Sequence, residues 1–192
     1  GEKIKVENIL KDYNVYIDTI EESILSIKYT NENIFDDIAD SIGFSLINYL
    51  QEQTPYLTSI QINELIDLGF SIGSHSKNHF PFQDLDLESQ IEQITGSFDI
   101  LANQYSISYK AFAIPFNDIG INMNFFHKLY NEVGADIYFG TAGMQKDIIE
   151  KNFQRFHLEN KFVDRNPKEV IKEKYANIIF DKIRNRNTII RK

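Results

Sequence analysis

The stretch "GFSIGSHSKNH", Gly69 to His79, decides how the rest of the chain is read. Its apolar run, Phe70–Ser74, has the length and composition of a short strand, and His75 falls at or just beyond the strand's C-terminal end. A helix is expected immediately before it. Thr58-x-x-Gln61 is a capping-box pattern, Ile62, Leu65 and Ile66 form the apolar stripe, and Gly69 supplies the stop. Helix, glycine, strand, then two histidines four residues apart is the grammar of a parallel α/β protein with polar groups beyond a strand end.

Outward from this segment the same alternation recurs. "NVYID" (14–18) and "FSLINYL" (44–50) read as strands, with "NIFDDIADSIG" (33–43) as an amphipathic helix between them. Downstream, residues 86–105 form a long helical pattern with Leu87, Ile91, Ile94, Phe98 and Leu101 on one face. "KAFAIP" (110–115) is a strand stopped by proline, and "NFFHKLYNEVG" (124–134) a helix with Phe125, Phe126, Leu129, Tyr130 and Val133 inward. "DIYFG" (136–140) and "QRFHLE" (154–159) read as further strands. Asn166 and Pro167 open a last helix expected to bury Val170, Ile171, Tyr175, Ile178 and Ile179. Parallel sheets place ligand groups beyond the C-terminal ends of their strands. Asp18, His75, Pro115–Asp118 and Gly140–Gly143 all stand at expected strand ends.

Composition limits the alternatives. A length of 192 residues suits one domain, and 42% hydrophobic with 25% charged residues is globular. A net charge of -8 argues against a nucleic-acid partner. With no cysteine, any metal must be held by His, Asp, Glu or water. No run of eighteen apolar residues predicts a transmembrane helix, and "GEKIKVENIL" lacks the pattern of a signal peptide. A soluble protein is expected, with the compartment open between bacterial cytoplasm and cell envelope.

His75 and His79 admit two readings. Two neutral imidazoles and one carboxylate suit zinc, with water in the open position, and both rings reach one ion if the segment is helical. The alternative is a solvent-exposed turn.

The longer segment "LTSIQINELIDLGFSIGSHSKNH" (57–79) resembles the polysaccharide deacetylase family, the NodB-homology domain of family-four carbohydrate esterases. The family runs helix, glycine, short apolar strand, then "IGSH" and a second histidine. "AFAIPFNDIG" (111–120) is similar to its "FAYPFG" motif. "YFGTAGMQKD" (138–147) and "NFQRFHLEN" (152–160) resemble the late segments of one subgroup. The resemblance implies an irregular (β/α) barrel of the NodB-homology type, a single domain spanning 1–192. It implies a divalent metal, zinc foremost, held by His75 and His79, and an N-acetylated polysaccharide or amino sugar as substrate. Metal-dependent removal of N-acetyl or O-acetyl groups is the implied activity. Pro115, Phe116, Asn117 and Asp118 are the implied substrate-binding residues, with an oxyanion donor in the backbone near Phe116. Asn117 and Asp118 equally suit an Asx turn.

The chain also departs from the family. The family's first motif, "TFDDG", supplies a base and the third metal ligand, and no "DDG" occurs here. Asp18 in "VYIDTI" is the positional candidate, either as the base with Thr19 in the ligand's place, or as the ligand with the base missing. Phe35–Asp37, "FDD", lies in a helical pattern and reads as a solvated face. The family's tryptophan is absent. His157, in "RFHLE", is the only late histidine and the candidate general acid, while Arg155 either reaches the acidic face or pairs with Glu159. His127 is expected at the surface. A second reading follows: a degenerate member that binds glycan without turnover. A third is other metal-hydrolase chemistry on the same scaffold.

Overall fold

A computed structural model describes residues 1–156, 158 and 166–191, arranged as two compact units, Gly1–Glu64 and Leu65–Lys192.

The N-terminal unit is helical: α1 (Glu2–Asp12), α2 (Ile20–Ser26), α3 (Asn33–Ile42) and α4 (Leu46–Gln53). Val6 and Leu10 of α1 pack against Ile34 and Ile38 of α3, with Ile9, Val15, Tyr16, Ile20, Ile24, Ile27 and Ile42 around them. The i, i+4 spacing of both pairs makes one stripe on each helix. Neither strand expected here forms. Residues 14–18 are a turn and an extended lead-in, with Asn14 at φ 56°, because Thr19 caps α2 by accepting from the Glu22 N–H at 3.1 Å. Residues 46–50 are helical because Ser45 caps α4 through the Asn48 N–H at 3.3 Å. Each cap satisfies an N–H that a helix start otherwise leaves open, and this outweighs the β-branched and aromatic content of a short run. The "FDD" residues do lie on a helix, α3.

Helix α5 (Ser59–Asp67) leads out of this region, and its capping box forms as expected. Thr58 Oγ1 accepts from the Gln61 N–H at 3.3 Å, and Gln61 Oε1 accepts from the Thr58 N–H at 2.8 Å.

The C-terminal unit carries a three-stranded parallel sheet in the order β1 (Ala111–Ala113), β2 (Ile137–Gly140), β3 (Asn152–Gln154). The expected (β/α) barrel is corrected by this: among the described residues the sheet is small and open. Of the expected strand 70–74 only Ser74 pairs, as a single parallel bridge to Phe112, and β3 ends at Gln154, before Arg155 and Phe156 of the expected strand. Gly73 explains the close approach at that bridge: a Cβ there would stand 3.1 Å from the Ala111 carbonyl oxygen.

Side chains alternate across the sheet with the two-residue period of a strand. Phe112, Tyr138 and Asn152 are paired in register and face the core. There they meet α6 (Leu87–Tyr105) and α7 (Met123–Lys128), the latter continuing as one wider turn through Val133. Phe82, Ile94, Phe98, Phe125, Phe126 and Leu129 complete that core. Asp86 caps α6 by accepting from the Ser89 N–H at 2.7 Å. Tyr130, expected inward, is exposed, with Lys151 Nζ 4.5 Å from its ring centre.

The last helix, α8 (Pro167–Ile183), begins at the expected Asn166 cap. Its expected burial is not met. Only Val170 is buried, while Ile171, Tyr175 and Ile179, at i+4 steps along one face, are exposed. No helix among the described residues is long and apolar enough to cross a membrane.

Candidate metal and ligand site

In a parallel sheet all C-terminal strand ends share one edge. Here that edge gathers His75, Pro115, Phe116, Gly140 and Arg155.

His75 follows the Ser74 bridge. The Ser74 N–H donates to the Ala111 carbonyl at 2.8 Å, and the Ala113 N–H donates back to the Ser74 carbonyl at 2.8 Å. The Ser74 hydroxyl lies 2.5 Å from that of Ser97, which donates to the Ile94 carbonyl at 2.7 Å. The histidine therefore leaves a backbone anchored to both β1 and α6.

Its ring is oriented by a carbonyl. Nδ1 of His75 stands 2.6 Å from the Ala113 oxygen. A carbonyl only accepts, so Nδ1 carries the proton and Nε2 keeps its lone pair. That Nε2 lies 3.1 Å from Nε2 of His79. The ring centres are 4.7 Å apart, nearly edge-on.

The convergence does not come from a helix, as the spacing suggested. Ser76 (φ 74°) and His79 (φ 56°) both adopt left-handed backbone, which folds 76–79 into a tight turn. The Ser76 hydroxyl accepts from the His79 N–H at 2.9 Å, and Gln93 of α6 accepts from the Asn78 N–H at 2.8 Å. His79 also packs on Phe116, ring centres 4.8 Å apart. Burial, then the neighbouring His75, lowers the His79 pKa below the ordinary histidine value, which favours the neutral ligand form.

These nitrogens fit a divalent ion. Two ligands at zinc–nitrogen distances of about 2.0–2.1 Å, with nitrogens separated as here, subtend roughly 100° at the metal, near the tetrahedral angle. A hydrogen bond from Nδ1–H to a carbonyl is also the usual orienting contact of a ligating histidine. Among the described residues of the C-terminal unit, no third His, Asp or Glu joins the pair.

The other expected residues fall as follows. Asp18 belongs to the N-terminal unit, exposed in the lead-in to α2 and not at a strand end. His157 and Glu159 lie outside the described residues. His127 is exposed on α7. Pro115 is buried, and Phe116, at φ 54°, is 58% exposed beside His79. Asn117 makes the Asx turn, accepting from the Ile119 N–H at 2.8 Å.

Asp118 turns inward and is fully buried. Its carboxylate accepts from the Thr141 N–H at 2.8 Å, the Gln154 amide at 3.0 Å and the Arg191 guanidinium at 2.6 Å. Arg191 also donates to the Asp118 carbonyl at 2.8 Å and pairs with Asp147 through Nε at 2.9 Å. Its guanidinium lies 4.3 Å from the Phe126 ring centre. Gly140 leaves room for this cluster, since a Cβ there would collide with Asp118 and Gln154. The cluster ties the loop that carries Phe116 to the tail of the described chain. No sequence signal announced Arg191 or Asp147.

Arg155 crosses β2 at the same edge. It donates through Nη2 to the Ile114 carbonyl at 2.9 Å and through Nε to the Gly140 carbonyl at 3.2 Å. A cavity of about 400 Å³ is lined by Gly73, Ser74, His75, Ala113, Phe139 and Arg155, with Ala111 and Phe112 beneath.

No protein-family model, curated protein or solved structure matches the chain.

Proposed function

We propose that the C-terminal unit is a divalent-metal-dependent hydrolase site of the deacetylase type, acting on N- or O-acetylated sugars. The observation that carries the reading is the His75–His79 pair, with Nε2 atoms 3.1 Å apart and one ring set by the Ala113 carbonyl. The segments around His75, Pro115 and Gly140 that resemble polysaccharide deacetylases all lie on the edge where this pair stands, which supports the same reading.

When bound, the metal would polarise the acyl carbonyl and acidify a water. His75 and His79 would hold it, with zinc best suited to imidazole ligands. Phe116, exposed next to His79, offers a face on which a sugar ring stacks. His157 remains the proposed acid.

One observation favours the second reading, a glycan-binding protein without turnover. Among the described residues of the C-terminal unit, no carboxylate completes the ligand set. Acetate release from N-acetylated chito-oligosaccharides and acetylated xylan, with zinc-, cobalt- or nickel-loaded protein, separates the two. Metal-dependent release that is lost in His75→Ala supports the hydrolase. Glycan binding with no acetate release from any loaded form supports the binding protein.

A further inference from the structure

The cavity beside His75 contains a cation that the proposed chemistry does not use. Arg155 is anchored through Nε and Nη2 on two carbonyls, Gly140 and Ile114, so its guanidinium plane is fixed at the strand edge. Nη1 is not spent on either bond. Among the described residues no carboxylate stands within ion-pair distance of Arg155, and Asp118 is the acidic group whose charge acts on it.

The rest of the lining is nearly featureless. Ala111, Ala113 and Phe139 lie on the sheet face opposite Phe112 and Tyr138, and give apolar walls. Beyond Arg155, the polar lining side chains are Ser74, whose hydroxyl is taken by Ser97, and His75. His75 and Arg155 dock on the neighbouring carbonyls of Ala113 and Ile114. His75 and the fixed cation thus flank one strand end and line one cavity.

We propose that this cavity binds a carboxylate on the substrate, with Arg155 as its recognition residue, so that the preferred sugar is acidic. The inference rests on the hydrolase reading for the position of the reacting acyl group, and deepens it by naming the substrate class. A planar guanidinium offers paired N–H donors matched to a carboxylate, and a charge-assisted bond of this kind is stronger than a neutral one. A single cation balances a monoanion. A phosphate dianion would be left with excess charge in a chain of net charge -8.

The test is binding of two probes that differ only at C6: the methyl glycosides of N-acetylgalactosaminuronic acid and of N-acetylgalactosamine. Calorimetry is run on wild-type protein, Arg155→Met, Arg155→Lys and the His75→Ala/His79→Ala double variant. Wild type is expected to bind the acid at least about tenfold more tightly than the neutral sugar. Arg155→Met should abolish that preference, the acid losing more affinity than the neutral sugar, while Arg155→Lys should recover part of it. Equal affinity for both probes in wild type, no binding of either, or an equal loss for both in Arg155→Met overturns the proposal. Preference for the acid that persists in a double variant lacking metal keeps the carboxylate site even if the hydrolase reading fails.

Discussion

The Ala113 carbonyl holds Nδ1 of His75 at 2.6 Å, and this one hydrogen bond determines which nitrogen of the ring faces His79. The site at the sheet edge is therefore set by backbone, not by a neighbouring acidic side chain. The tautomer is directly observable. Nitrogen-15 NMR of the metal-free protein should show His75 with its proton on Nδ1 at neutral pH. A His75 protonated at Nε2 would contradict the orientation.

Gly73 makes that orientation possible. A methyl group there would meet the Ala111 carbonyl oxygen at 3.1 Å, and both partners are backbone in a paired register. Gly73→Ala is expected to cost about 1–3 kcal/mol of stability as the Ser74 bridge shifts. Zinc affinity should fall roughly tenfold or more, because the ring loses its orienting carbonyl. Urea unfolding and competition with a zinc chelator measure the two effects.

Arg191 pairs with two buried carboxylates. Burial raises the Asp118 pKa, but the Thr141 N–H, Arg191 and Gln154 outweigh it and leave the value below the ordinary 3.8. At Asp147 burial also raises the pKa, and Arg191, the Ile149 N–H and Asn152 again bring it below the ordinary value. Both folded pKa values lie below the unfolded one. Their stabilisation is thus complete above an unfolded pKa of about 3.9 and is lost as pH falls through the depressed folded values. Arg191→Met should cost about 3–5 kcal/mol at pH 7, because the carboxylates remain buried without their cation. The loss should shrink on acidification through that window, read from thermal unfolding at a series of pH values.

Thr19 is the cap of α2. Thr19→Ala should destabilise the N-terminal unit by about 1 kcal/mol, and Thr19→Asp should be close to neutral, since aspartate caps equally well. Chemical denaturation followed by circular dichroism distinguishes the two. A larger loss for the aspartate than for the alanine would show that Thr19 does something other than cap.

The parts of the fold legible in the sequence were those with an explicit boundary signal. Thr58 with Gln61 and Asn166 before Pro167 each start a helix where they were expected to. Residues 14–18 and 44–50 misled because short β-branched and aromatic runs suit both a strand and the flank of a helix. The deciding residues, Thr19 and Ser45, are caps that a strand reading passes over. At the site, the histidine spacing was legible but its cause was not. The left-handed backbone of Ser76 and His79 brings the rings together, and a four-residue spacing alone does not separate such a turn from a helix. Arg191 was out of reach: its carboxylate partners stand 73 and 44 positions away, and no periodicity links them.

In the proposed site His75 and His79 hold one metal ion between them. The most direct measurement is the metal content of the purified protein by mass spectrometry after equilibration with zinc, compared with His75→Ala and His79→Ala. Close to one zinc per chain is expected in the wild type, with loss of that zinc in either variant. A wild type that takes up no zinc, or variants that retain all of it, would contradict the proposed site.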